Sequence, residues 1–141
     1  MILGIGTDIV RVHRCTRMSA FSRDRLRTFF SESELSAAQD LQNLDRFISA
    51  KLATRFAAKE ALFKALCASL IRLGHTQKTF SLRFVAQISS VEITQWGVPK
   101  LRVDCAVLEQ KIGVTLPPLQ FHLSLSHEQE HALAFVVCEM I

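Results

Sequence analysis

The stretch from residue 45 to 70, centred on RFAAKEALFKAL (residues 55–66), constrains the fold more than any other part of the chain. Its length and apolar spacing predict one long helix. Mapped at about 100° per residue, Ile48, Leu52, Phe56, Leu62, Phe63 and Leu66 share one broad arc. Ala50, Ala53, Ala57, Ala58, Ala61 and Ala65 carpet the other side. A helix apolar on all sides is a buried helix, and a flat alanine face admits a sheet or a second helix at close range. Four charges interrupt it. Arg55 and Lys59 project from within the large-residue arc, and Glu60 and Lys64 flank it. Buried charges are paired, or they hold a metal or a charged ligand.

The elements around this helix follow from local signals. ILGIGTDIV (2–10) is a short apolar strand in which Asp8 shares a face with Gly4 and Gly6, glycines that mark a close backbone approach. Residues 13–30 form a basic, helical region. Ser31 and Glu34 stand at capping-box distance and open a helix from about 32 to 42. Phe80–Val85 and Val91–Thr94 are predicted strands, and WGVP (96–99) is a turn leading into a strand at Lys100–Val103. A helix near 105–112 stops at Gly113. FHLSLSH (121–127) alternates cleanly and pairs with ALAFVV in a hairpin. Strand, helices, then mostly strands give an α+β fold: an antiparallel sheet packed on a long buried helix.

Size and charge narrow the function. The 141 residues suit one domain, 1–141, and 49% hydrophobic with 21% charged residues describes a globular chain. No apolar run reaches the ~18–20 residues of a membrane span, and no signal-peptide pattern opens the chain. Cys15, Cys67, Cys105 and Cys138 are scattered without a CxxC pair, which fits a reducing cytoplasm better than a disulfide framework or zinc knuckle. The net charge of +4 is concentrated early, at Arg11, Arg14, Arg17, Arg23, Arg25 and Arg27, and points to an anionic partner. Nucleic acid is one such partner. Against it stand the absence of any RNA-recognition, KH or zinc-finger motif and the unexplained carboxylates at Asp8 and Glu60.

Asp8, midway through an apolar strand, is either salt-bridged, a strand-end cap, or a ligand for a hard cation such as Mg2+, which takes one or two carboxylates together with phosphate oxygens. Glu60 pairs with Lys64 at i,i+4, or it joins Asp8 in a two-carboxylate site with Arg55, Lys59 and Lys64 nearby. Metal, lysines and arginine at one spot are the means of pyrophosphate chemistry, and no GxxxxGK[ST] loop makes this a P-loop enzyme. Ser126 and His127 end a strand on opposite faces. They are poorly placed as nucleophile and base, with no GxSxG elbow, and suit turn capping or ligand contact instead.

In their order, MILGIGTDIV, RFAAKEALFKAL, WGVPKL and SLSHEQEHALAFVV resemble the small bacterial branch of the 4'-phosphopantetheinyl transferases, that of the holo-[acyl-carrier-protein] synthases. The resemblance runs nearly end to end. It implies transfer of phosphopantetheine from coenzyme A to a serine of apo acyl carrier protein, with release of adenosine 3',5'-bisphosphate, for fatty acid biosynthesis. It implies Mg2+ at Asp8 and Glu60, and Lys64 on a phosphate or assisting removal of the serine proton. Arg55, Lys59, Ser126 and His127 match the nucleotide-binding positions. Arg14, Met18, Phe21 and Arg25, a basic and apolar stripe away from the metal site, match the surface that docks the acidic carrier. It also implies a homotrimer with active sites at subunit interfaces, one side of the long helix serving the subunit's own core. The chain departs from the pattern at Cys67-Ala68-Ser69, where a Gly-Thr-Gly-like loop is usual, at Glu128-Gln129 after His127, and at Arg11. A relative that binds coenzyme A without turnover is the alternative these departures leave.

Overall fold

The computed structural model describes residues 1–39, 45–77 and 79–141. Strand β1 (Ile2–Arg11) leads into α1 (Val12–Thr16), a 3-10 turn (Arg17–Ala20), α2 (Arg23–Arg27), α3 (Glu32–Gln39) and the long α4 (Asp45–Arg72). Helix α5 (Leu82–Gln87), strands β2 (Ser89–Ile93) and β3 (Pro99–Val103), helix α6 (Cys105–Ile112) and strands β4 (Leu119–His127) and β5 (His131–Met140) complete the chain. All pairing is antiparallel, in a three-stranded sheet of order β1-β5-β4 and a two-stranded β2-β3 ribbon.

Helix α4 lies across the three-stranded sheet, and glycine makes that contact possible. A Cβ on Gly6 would overlap the carbonyl oxygen of Ala61, and one on Gly4 would overlap that of Ala65. With Ala57, Ala61 and Ala65 fully buried beneath it, β1 sits against the helix backbone itself. The opposite arc, Leu52, Phe56, Leu62 and Leu66, is also buried, among Phe29, Phe30, Phe80, Val85 and Leu108. The side chain of Ile48 lies outside the described residues. Both sides of the helix are therefore covered within one chain, which corrects the expectation that a second subunit covers one of them. An exposed apolar patch lies instead on the outer face of the sheet, where Ile5, Ile9, Leu133 and Phe135 stand together, Ile9 at 63% exposure.

Several expectations hold. Ser31 and Glu34 form the capping box: Glu34 N donates to Ser31 Oγ (3.2 Å), and Ser31 N donates to a Glu34 carboxylate oxygen (2.8 Å). The predicted end of that helix at 40–42 lies outside the described residues. Gly113 closes α6 at φ 74°, a left-handed cap that glycine adopts freely.

Two differ. Phe80–Val85 is not a strand. Ser81 caps α5 by accepting from Phe84 N (3.2 Å), and Phe80, Phe84, Val85 and Ile88 fall at helical spacing onto α4, with Phe80 meeting Phe63 edge-on. The basic region 13–30 is three short pieces, because Phe21 is extended (φ −80°, ψ 147°) and Ser22 opens a new helix by capping Arg25 N.

Candidate active site

The close seating of β1 on α4 sets the geometry of Asp8. On the helix-facing side of β1, one residue pair beyond Gly6, its carboxylate lies beside the Glu60–Lys64 edge of α4. Lys64 Nζ stands 2.8 Å from Asp8 Oδ1 and donates to the Thr7 carbonyl at 2.8 Å. Glu60 is within hydrogen-bonding reach of Asp8. Burial, then the hydrogen bond and charge of Asp8, push its carboxyl above the usual range, while Arg14 and Lys64 pull it back. Asp8 Oδ2 is buried with no hydrogen-bond partner. The half-exposed lysine pairs with Asp8 alone, and one oxygen is left bare. That donor set fits a hard divalent cation completed by ligand oxygens, which Asp8 and Glu60 could hold. Among the described residues no cluster of three or more metal-type side chains occurs, so two protein ligands are all this site offers.

A second cluster lies at the other edge of the sheet. Arg55, Lys51, Thr54, Ser33, Val91, Gly97, Pro99, Leu125 and His127 line an open cavity of about 630 Å³. Arg55 is nearly buried, and its hydrogen bonds go to neutral oxygens, Thr54 Oγ1 (3.1 Å) and the Lys51 carbonyl (3.4 Å). Burial pulls its pKa down and the charge of Glu34 raises it. The cavity therefore presents cationic and imidazole groups on a largely apolar wall, with the Glu92 carboxylate at its side paired to Arg102. Lys51, one turn before Arg55, escaped notice in the sequence, although its i,i+4 spacing to Arg55 was the available signal.

The structure separates the remaining candidates. Ser126 and His127 fall on opposite faces of β4. His127 shares the helix-facing side with Leu125, whereas Ser126 pairs with Leu133 on the exposed face and does not join Arg55 within one chain. Lys59 does not join it either. It is 0% exposed, ion-paired to Glu34 at 2.8 Å, and donates to the carbonyls of Phe29 (2.7 Å) and Ala86 (2.9 Å). Its ammonium is consumed by internal partners, which corrects its assignment as a ligand contact. Glu34 looked like a capping residue alone, because the box already accounted for it.

The basic stripe is also redrawn. Arg25 stacks on Phe21 (3.9 Å to the ring centre) and is exposed on α2, with Met18 packed against the core. Arg14 instead lies over Phe56 (5.1 Å), and its charge reaches Glu60. It borders the carboxylate pair and is not remote from it.

Residues 4–136 match the 4'-phosphopantetheinyl transferase superfamily. The chain belongs to that family. This phosphopantetheinyl transferase is 37% identical over 141 residues to the holo-[acyl-carrier-protein] synthase of Klebsiella pneumoniae, covering 98% of each chain. It is 33% identical over 142 residues to that of Borrelia hermsii, covering 99% of each. Among solved structures, the holo-(acyl-carrier-protein) synthase of Bacillus anthracis in complex with CoA (3',5'-ADP) aligns with TM-score 0.68 and 30% identity, covering 100% of this chain and 99% of that one. The Helicobacter pylori holo-[acyl-carrier-protein] synthase in complex with coenzyme A aligns with TM-score 0.67 and 25% identity, covering 96% and 99%. Among the described residues, no helix of this transferase is long and apolar enough to cross a membrane.

Proposed function

We propose that the protein acts as a single domain, 1–141, in the cytoplasm, moving 4'-phosphopantetheine from coenzyme A to a serine of apo acyl carrier protein with Mg2+, in support of fatty acid biosynthesis. The observation that carries this reading is the Asp8–Glu60 pair with its unpartnered buried oxygen. The CoA and 3',5'-ADP complexes of its relatives support the donor.

The serine oxygen forms a bond to the phosphorus bearing the pantetheine arm. The pyrophosphate P–O bond breaks, its electron pair stays on the departing oxygen, and adenosine 3',5'-bisphosphate leaves. The serine proton passes to a base at the site. Asp8 and Glu60 would hold Mg2+, which when bound would supply positive charge to the pyrophosphate oxygens. Lys64, half-exposed beside Asp8, would bring its ammonium to the same oxygens. Arg55, Lys51 and His127 hold the nucleotide and its phosphates, with Ser126 able to contribute only from another subunit. Arg25, Phe21, Met18 and Arg14 receive the acidic carrier.

We read the assembly as a homotrimer, and the placement of these parts supports association of that kind. Asp8 lies on β1 and His127 on β4, opposite edges of the sheet with β5 between and α4 seated over it. The exposed Ile5, Ile9, Leu133 and Phe135 face supplies the apolar area for association, which brings one chain's carboxylate edge to another's cavity edge.

The test is incubation with coenzyme A, Mg2+ and apo carrier protein. A mass gain of one phosphopantetheine group on the carrier is expected. Coenzyme A binding with no such gain would favour the non-catalytic alternative.

A further inference from the structure

Lys59 and Glu34, fully buried, touch nothing a substrate could reach. Yet they join more of the chain than any ligand-facing residue described above. Lys59 Nζ is bonded to the carbonyls of Phe29 and Ala86 and lies 2.8 Å from Glu34 Oε2. Glu34 in turn accepts from Ser31 N and, through Oε1, from Val91 N, both at 2.8 Å. The α2–α3 turn, α3, α4, α5 and β2 thus meet at one ion pair. Three of these elements wall the cavity: α3 through Ser33, α4 through Lys51 and Arg55, and β2 through Val91 and Glu92. A well-packed apolar pair is often as stable as a buried ion pair, so stability does not by itself call for these charges. Directional bonds to five segments fix geometry in a way that apolar contact cannot.

We infer that the Lys59–Glu34 pair is a positioning device for the cavity, setting where Arg55 and Lys51 meet a ligand phosphate without contacting that ligand. Arg55 sits one turn before Lys59 on the same edge of α4. A shift of α4 relative to α3 or β2 therefore moves its guanidinium against the cavity wall. The inference rests on the reading of this cavity as the coenzyme A nucleotide site.

The experiment compares steady-state kinetics with coenzyme A and with 3'-dephospho-coenzyme A. Arg55→Ala addresses the nucleotide site itself. It should raise KM for coenzyme A and erase the preference over the dephospho form; if it does neither, the nucleotide lies elsewhere and the positioning role falls with it. Where Arg55→Ala behaves as expected, the double variant Glu34→Gln/Lys59→Met, which removes both charges of the pair together, is the deciding one. It should raise KM about tenfold, the scale of one misplaced charge-assisted hydrogen bond. Its kcat should hold within about threefold, and its preference for the 3'-phosphate should fall. A folded double variant with unchanged KM and preference overturns the inference. So does a loss of kcat at constant KM, which would place Lys59 in the chemical step. Should the double variant not fold, Ser31→Ala removes the hydroxyl that accepts from Glu34 N and so loosens the first turn of α3, which carries Glu34, while leaving its carboxylate bonds in place. A KM rise of about twofold is then expected, and no change overturns the inference.

Discussion

The ammonium of Lys64 stands 2.8 Å from Asp8 Oδ1, while Asp8 Oδ2 is buried without a partner beside Glu60. Lys64 thus pairs with Asp8 alone, Arg14 and Lys64 offset the Glu60 charge only in part, and one carboxylate oxygen stays unmatched. The strain of that mismatch can be measured without any turnover.

Without metal, Glu60→Gln should raise the melting temperature slightly, by about 2 °C, because it removes like-charge repulsion and offers Asp8 an amide donor. The gain is small because Glu60 is only part-buried and water screens the pair. Millimolar Mg2+ should raise the wild-type melting temperature and leave that of Glu60→Gln unmoved. Both Asp8→Ala and Glu60→Gln should lose transfer by orders of magnitude while remaining folded. A Glu60→Gln protein that Mg2+ still stabilises would remove Glu60 from the metal site.

The pH dependence has a definite sign. Glu60 is held above its ordinary carboxyl value in the fold, so the native state binds its proton more tightly than the unfolded chain does. Its ionisation therefore costs stability as pH rises from the unfolded value towards the folded one, and costs nothing below both. Glu32 and Glu139, held low by Arg23 and Arg27 and by His122, act in the opposite sense. The difference in unfolding free energy between wild type and Glu60→Gln isolates the effect. It should grow in favour of the variant across this window, in metal-free buffer.

Lys64→Ala should depress kcat more than it raises KM for coenzyme A, since Lys64 is half-exposed and free to turn from Asp8 to the reacting phosphate. A pure KM effect in initial-rate assays would confine Lys64 to ground-state binding.

Carrier docking is best isolated at Arg25, because Arg14 also acts on Glu60. Arg25→Glu should raise KM for apo carrier protein, mainly by slowing encounter, and spare KM for coenzyme A. Wild type should lose carrier affinity with salt and the variant should be flatter, as exposed charges are screened over ~8–10 Å near physiological ionic strength. Equal carrier dependence at low salt would make Arg25 a solvated charge only. Arg14→Glu should damage both substrates' kinetics.

On the outer sheet face, Phe135→Asp should convert the assembly to monomer in sedimentation experiments. It should abolish transfer while the monomer keeps its helical signal. A fully active monomer would show that one chain holds a whole site.

Much of this was legible in the sequence where the signal was local. Gly113 ended α6, the alternation of FHLSLSH marked β4, and the alanine face of α4 announced the glycines of β1. What failed depended on partners far along the chain. Lys59 looked like a ligand contact because nothing in RFAAKEA reveals Glu34, and Arg14 looked remote because a broken helix carries it back over Phe56. The segment 80–85 misled because its aromatic and β-branched residues suit a strand, whereas the Ser81 cap and the packing of Phe84 and Val85 into the core go with a helix.

The spacing of the two carboxylates is decided by atoms that are missing. Gly4 and Gly6 meet the Ala65 and Ala61 carbonyls with no room for a single methyl, so a larger residue there would wedge β1 off α4 and carry Asp8 away from Glu60. Residues with no functional group thus hold the tolerance of the chemistry. A survey of inactivating substitutions across this protein would return glycines and alanines beside the charged residues. Their failures would combine lost metal affinity with lost stability, since the same contact holds β1 on α4.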